Sequence, residues 1–109
     1  MSETFKKQIV ERMAKNFLDI LMLRLIHTKP MWGYKIKKEV QRLFGIQLRH
    51  GALYPLLNQL EANGLLRSRK DAHGGRVRKV YEVTSKGTQL INAYYEFLKE
   101  QLQKQDITG

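Results

Sequence analysis

Arg76 and Arg78 flank Val77 directly after Gly74-Gly75, and Arg67, Arg69, Lys70 and Lys79 crowd the same stretch against only Asp71 and Glu82. Guanidinium and ammonium groups neutralise phosphates, and a run this dense repels itself unless a polyanion lies against it. A second group sits in "LRHGALYPLLNQLEANGLL", Leu48 to Leu66. There Leu53, Leu56, Leu57 and Leu60 recur at helical spacing, which puts Gly51, Tyr54, Pro55 and Asn58 on the opposite face, with Arg49 and His50 at its start. Asparagine, glutamine and arginine read base edges, so Asn58 is the candidate base-reading residue, while Tyr54 is open between a groove contact and packing its ring on Leu57. Lys35, Lys37 and Lys38 lie off a third apolar seam; they read first as solvated charges, with phosphate contact as the alternative.

Catalytic chemistry has little to work with. His27, His50 and His73 are not at metal-ligand spacing, and no cluster of Asp and Glu accompanies them. Ser68, Asp71 and His73 are close in sequence, but a hairpin offers no sheltered cleft in which they become nucleophile, base and orienter. The chain has no cysteine and no phosphate-cradling glycine motif. The expectation is a protein that is not an enzyme and uses neither metal nor cofactor.

With 109 residues and a formal net charge of +10, the chain is one basic domain. Its pI near 10.0 points to nucleic acid first and an anionic membrane second. Basic residues are interleaved with apolar ones, so the chain should fold. The opening "MSETFKKQIVERMAKNFLDILMLRLI" carries charge too early for a signal peptide, and its most apolar part contains Asp19 and Arg24 and is too short to span a bilayer. A cytoplasmic protein without a membrane partner is expected.

The elements that must hold these groups follow from periodicity. Thr4 to about His27 reads as one helix with two stripes, Phe5, Ile9, Met13 and Phe17, then Leu18, Leu21, Met22 and Leu25. "HTKPMWG" breaks it. A second helix spans about Gly33 to Phe44, with Ile36, Val40, Leu43 and Phe44 inward and Gly45 as its stop. The third, around Leu53 to Leu60, ends at Asn63-Gly64. Two extended runs, "LLRSRK" and "RKVYEV", join through Gly74-Gly75 into a hairpin. Thr84 caps a last helix, about Ser85 to Lys104. Three helices followed by a basic hairpin make a winged helix-turn-helix, whose third helix enters the major groove while the hairpin reaches the flanking backbone. The expected class is mainly α with a small β-hairpin, in a single domain spanning 1–109. Its winged helix would cover about 17–83, with dimerisation helices at about 4–16 and 85–104.

The last helix argues for a second copy. Leu90, Tyr94 and Phe97 form one stripe and Ile91, Tyr95, Leu98 and Leu102 an adjacent one, together wider than one small domain needs. Phe5, Ile9 and Met13 are expected across that interface; a monomer with a tyrosine or two exposed is the alternative. Trp32 offers a face to a flat aromatic ligand, although a tryptophan beside proline more often packs in a core. Tyr94 and Tyr95, with Met13, either line an effector pocket between subunits or fill it.

"WGYKI", "GALYPLLNQLEANGLL" and "GGRVRKVYEVTSKG" resemble the PadR family of winged-helix transcriptional regulators over roughly Leu18 to Leu90. The combination that carries the likeness is Gly33-Tyr34, Gly51 to Pro55, Glu61, Gly64-Leu65, Gly75-Arg76, Tyr81, Thr84 and Gly87. The resemblance implies a homodimeric repressor on a palindromic DNA operator, in many members released by a small molecule. It also implies phosphate contacts by Tyr34 and Lys35, groove contacts by Tyr54 and Asn58, and wing contacts by Arg76 and Arg78. Two departures stand out. Arg49-His50 replaces the usual Ser-Pro, losing a cap but adding charge, and Val77 and Val80 replace Pro and Tyr in the wing. An RNA-binding winged helix and a protein-interaction module remain as rivals; only Tyr34 and Tyr54 are available to stack on RNA bases.

Overall fold

The change of stripe between Phe17 and Leu18 is a change of helix. The computed structural model describes residues 2–108, with side chains described for all but His73 and 105–108, and it divides the expected first helix into α1, Glu3–Asn16, and α2, Leu18–Thr28. Ser2 caps α1 by accepting from the Phe5 amide, and Phe17 leaves helical geometry at φ −129°, ψ 18°. The reason is the partners the two stripes need. α2 buries Ile20, Leu21, Met22, Leu23, Leu25 and Ile26, whereas α1 buries no residue. A single straight rod cannot set an all-round apolar segment in the core and keep the α1 stripe on the surface.

After α2 a two-residue strand, β1 at Met31–Trp32, precedes α3, Gly33–Phe44, and α4, His50–Ala62. The hairpin follows as β2, Leu66–His73, and β3, Arg76–Val83, and the chain closes with α5, Ser85–Thr108. The sheet order is β1-β3-β2, antiparallel throughout, with Trp32 opposite Val80 and Asp71 opposite Arg78. β1 is not visible in the sequence because two residues carry no alternation; β3 beside it makes it a strand. Gly74 and Gly75, at φ 59° and 78°, form the two-residue turn that needs positive φ at both positions and matches the twist of its strands. Both strands run to that turn, longer than the two short runs in the sequence.

The core joins α2 to Ile36 and Val40 of α3, Leu53, Leu57 and Leu60 of α4, Leu66, Tyr81 and Ile91. Gly45 closes α3 in the left-handed region, as expected. Leu43 departs from its expected inward place and is 49% exposed; Phe44 takes the inner position beside it. Thr84 does cap α5, accepting from the Gly87 amide at 3.1 Å while its hydroxyl donates to the Gly64 carbonyl at 2.6 Å. No described helix is long and apolar enough to cross a membrane.

Candidate nucleic-acid interface

α4 presents its outer face because its apolar seam is committed to the core: Leu53 and Leu57 are fully buried while Tyr54 and Asn58 are exposed. Its N-terminus has no side-chain cap and no acidic residue in the first turn, and Arg49 occupies the cap position. A cation beside the positive end of a helix dipole is unfavourable in isolation, and an external anion there reverses the sign. α3 repeats the pattern, with Trp32 at its cap, no side-chain cap bond and no acid in its first turn. Tyr34 and Lys38 are exposed and Lys35 half-buried, with the Lys38 ammonium 5.3 Å from the Tyr34 ring.

Tyr54 is placed by Gly33. A Cβ at Gly33 would lie 2.8 Å from Tyr54 Cε1 and 2.9 Å from its hydroxyl oxygen, so only glycine lets the ring rest on the start of α3. His50 stacks one turn back on the same ring, with centroids 5.9 Å apart and planes within 2°. The motif glycine and the motif tyrosine thus form one contact, which fixes α4 against α3.

The wing is tied to α4 by a carboxylate. Glu61 accepts from the Ser68 hydroxyl on β2 and pairs with Lys79 on β3 at 3.2 Å. The Ser68 hydrogen bond first, and then Lys79, hold the Glu61 carboxyl below the usual carboxylate range; Glu61 in turn raises Lys79. Lys79, expected to meet DNA, is therefore engaged within the chain, and its 48% exposed side chain also lies over the Tyr81 ring at 5.5 Å. Burial raises the Tyr81 hydroxyl above its ordinary value. Arg67 likewise pairs with Glu82. Arg76 remains exposed beside the turn, and Arg78 lies over the Trp32 ring with its guanidinium carbon 3.8 Å from the centroid.

Trp32, Gly33, Tyr54, Asn58, Arg78, Lys79 and Tyr81 line one recess of about 360 Å³. The outer face of α4 and strand β3 of the wing are thus a single surface, and the expected Tyr54, Asn58, Arg78 and Lys79 meet on it. Arg49, His50 and Gly51 are exposed at the α4 start, outside the recess lining. Trp32, the candidate ligand platform, has one ring face against the Arg78 guanidinium and its centroid 5.3 Å from that of Tyr34. The contact between Trp32 and Arg78 is not legible in the sequence because the two residues lie far apart along the chain, although "WG" before a helix and an arginine in the wing are both visible there.

On the terminal helices, Phe5 and Ile9 of α1 are 63% and 50% exposed, and Tyr95, Leu98 and Leu102 of α5 are 47%, 46% and 64% exposed. Met13 is half-buried. Ile91 differs from its expected interface place: it is 5% exposed and packed in the core of its own chain, which leaves little surface for a partner. The heptad spacing could not separate the residue nearest the domain from those beyond it. Tyr94 meets Phe17 edge-on at 5.6 Å and, with Met13 and Tyr95, lines a recess of only about 60 Å³.

A family model described as the Transcriptional regulator PadR-like family matches residues 22–93. A transcriptional regulator of Mycobacterium tuberculosis is 38% identical over 68 residues, which cover 62% of this chain and 63% of that protein's length. A PadR family transcriptional regulator of Eggerthella lenta has a solved structure with a TM-score of 0.72 and 28% identity, covering 94% of this chain and 92% of that one. The structure of Bacillus subtilis PadR in complex with operator DNA superposes with a TM-score of 0.67 at 24% identity, over 73% of this chain and 46% of that one. The family is one of transcriptional regulators and not of enzymes. With residues 22–93 matched, from α2 through the wing and into α5, the chain belongs to the PadR-like family of transcriptional regulators.

Proposed function

We propose that the chain binds duplex DNA as a homodimer and represses transcription from a palindromic operator in the cytoplasm. The observation that carries this reading is the single recess that joins Tyr54 and Asn58 of α4 to Arg78 on β3 of the wing. Around it the α3 and α4 N-termini have no side-chain cap, and Lys38, Arg49 and Arg76 add positive charge outside the ion pairs of the described residues, while Lys35 lies in the field of Glu39. Such a surface suits α4 in the major groove, with the wing on the flanking backbone. The Bacillus subtilis relative in complex with operator DNA supports the same assignment.

The dimer rests on α5. Core packing reaches Ile91 and Tyr94, and from Tyr95 onward the described side chains are exposed, including Phe97 at 60%. A helix that projects with bare apolar residues has little intrinsic stability in water and gains it from a partner. A two-fold dimer presents two α4 helices to the two halves of a palindrome. A small-molecule effector belongs to this reading at the subunit boundary. There Met13, Tyr94 and Tyr95 line a recess with room for only a few waters in the single chain, which a second chain would wall in.

The test is a competition of duplex DNA against single-stranded RNA for the labelled protein, with sedimentation of the same sample. Duplex preference together with a dimer supports the proposal. Preference for RNA moves the chain to the RNA-reading class, and binding to neither leaves a protein-interaction module.

A further inference from the structure

Sheet pairing alone does not account for the stack of Arg78 on Trp32. Trp32 ends β1 opposite Val80, so Arg78 sits one diagonal step along β3, beyond the end of β1. Directly across from Arg78 on β2 stands Asp71. Cross-strand partners share a face, so a carboxylate is the nearest natural partner for this guanidinium. The guanidinium lies instead over the indole at 3.8 Å, and the ion pairs among the described residues are Arg42–Glu39, Arg67–Glu82 and Lys79–Glu61.

The two arrangements differ in what they leave free. A carboxylate takes up the N–H edge of the guanidinium, whereas a ring takes up its face and leaves the edge donors unspent. The stacked pair also divides two recesses, one of about 310 Å³ lined by Arg69 and Asp71, the other of about 360 Å³ lined by Tyr54 and Asn58. A side chain already held in one place loses less freedom when it binds.

We propose that Trp32 is a positioning residue for nucleic-acid binding. Its indole holds Arg78 by the face and away from Asp71, with the guanidinium edge free for a backbone phosphate beside Tyr54 and Asn58. This rests on the duplex-binding reading above.

Trp32 is the chain's single tryptophan, so its emission reports the pair directly. Without DNA, Arg78→Gln should change the position or intensity of that emission; an unchanged spectrum overturns the stack. On a random-sequence duplex, Trp32→Leu should weaken binding about tenfold, a scale between an exposed and a desolvated cation–π contact, as suits two half-buried side chains. Trp32→Phe, which keeps a ring, should lose clearly less. Adding Asp71→Asn to Trp32→Leu should recover most of the loss, well beyond what Asp71→Asn does to the wild type. A residue that only packs β1 predicts no such recovery, so a folded double variant as weak as Trp32→Leu alone overturns the proposal, as does a folded Trp32→Leu that binds normally. Should Trp32→Leu fail to fold, the Arg78→Gln emission and the Trp32→Phe affinity decide instead. Wild-type protein that binds no duplex removes the duplex reading and this proposal with it. Normal wild-type binding with unaffected variants removes this proposal alone.

Discussion

Arg76 and Arg78 are two residues apart on one strand, yet they are held in different ways. Arg78 is supported by an aromatic ring, while Arg76 stands exposed beside the Gly74-Gly75 turn. A charge that meets only phosphate supports every sequence alike. Arg76→Ala should therefore weaken binding to specific and random duplex equally and flatten the slope of log affinity against log salt by about one unit. Titration at several salt concentrations checks this, and an unchanged slope takes the wing tip out of the account. Asn58 is exposed on α4 and lines the shared recess, and the proposed function makes it the base-reading residue. Asn58→Ala should cost about 1–3 kcal/mol at one operator position and little on random duplex; equal losses on both would assign it to the backbone. At this scale the sequence discloses which residues carry charge but not which charges are already spent. Lys79 and Arg78 look alike in "RVRKVYEV", and only the fold pairs one with Glu61 and lays the other on Trp32.

Between elements, two small junctions set the geometry of the surface. The turn after α4 docks on the start of α5, where Leu65 accepts from the Thr84 amide at 3.1 Å and the Lys86 ammonium donates to the Asn63 carbonyl at 2.8 Å. A Cβ at Gly87 would collide with the Leu65 carbonyl oxygen and lie 2.7 Å from Val83 Cγ1. Since backbone cannot step aside cheaply, Gly87→Ala should destabilise by about 1–3 kcal/mol, read as a lower denaturant midpoint; a midpoint equal to wild type would mean that the junction adapts. The second junction is Glu61 with Ser68 and Lys79. Its carboxyl titrates below the usual value of about 4.3. The stability it contributes is therefore present above about pH 4.3 and is lost as pH falls through the lower folded value. Glu61→Gln should lower stability near neutrality and remove part of the acid-induced loss seen in wild type. Denaturant midpoints measured from neutral pH down into the acid range check this, and parallel curves for the two proteins would contradict it. Helices α3 and α4 and the hairpin were legible because Gly45, Asn63-Gly64 and Gly74-Gly75 punctuate them locally. The break at Phe17 and the strand β1 were not, because no breaker residue marks the first and a distant strand creates the second.

Across the whole molecule, the two terminal helices carry much of the exposed apolar surface: Phe5 and Ile9 on α1, and Tyr95, Phe97, Leu98 and Leu102 on α5. α5, with 24 residues, runs about 36 Å at the helical rise of 1.5 Å per residue, far past the core contact at Ile91. Leu98→Glu with Leu102→Glu should leave the winged helix folded and convert a dimer to a monomer in sedimentation. The monomer should lose most of its preference for a two-fold site while keeping salt-sensitive binding. A double variant that stays dimeric would move the interface elsewhere. Sequence-specific recognition of duplex DNA is measured by selecting sheared genomic DNA from the source organism on the protein, then titrating the best fragment against random duplex at two salt concentrations. Recovery of a fragment with an inverted repeat, preferred about a thousandfold or more and still preferred at the higher salt, is the expected result. Fragments that all bind alike and are all released by salt would contradict it, leaving the charge as a non-specific coat.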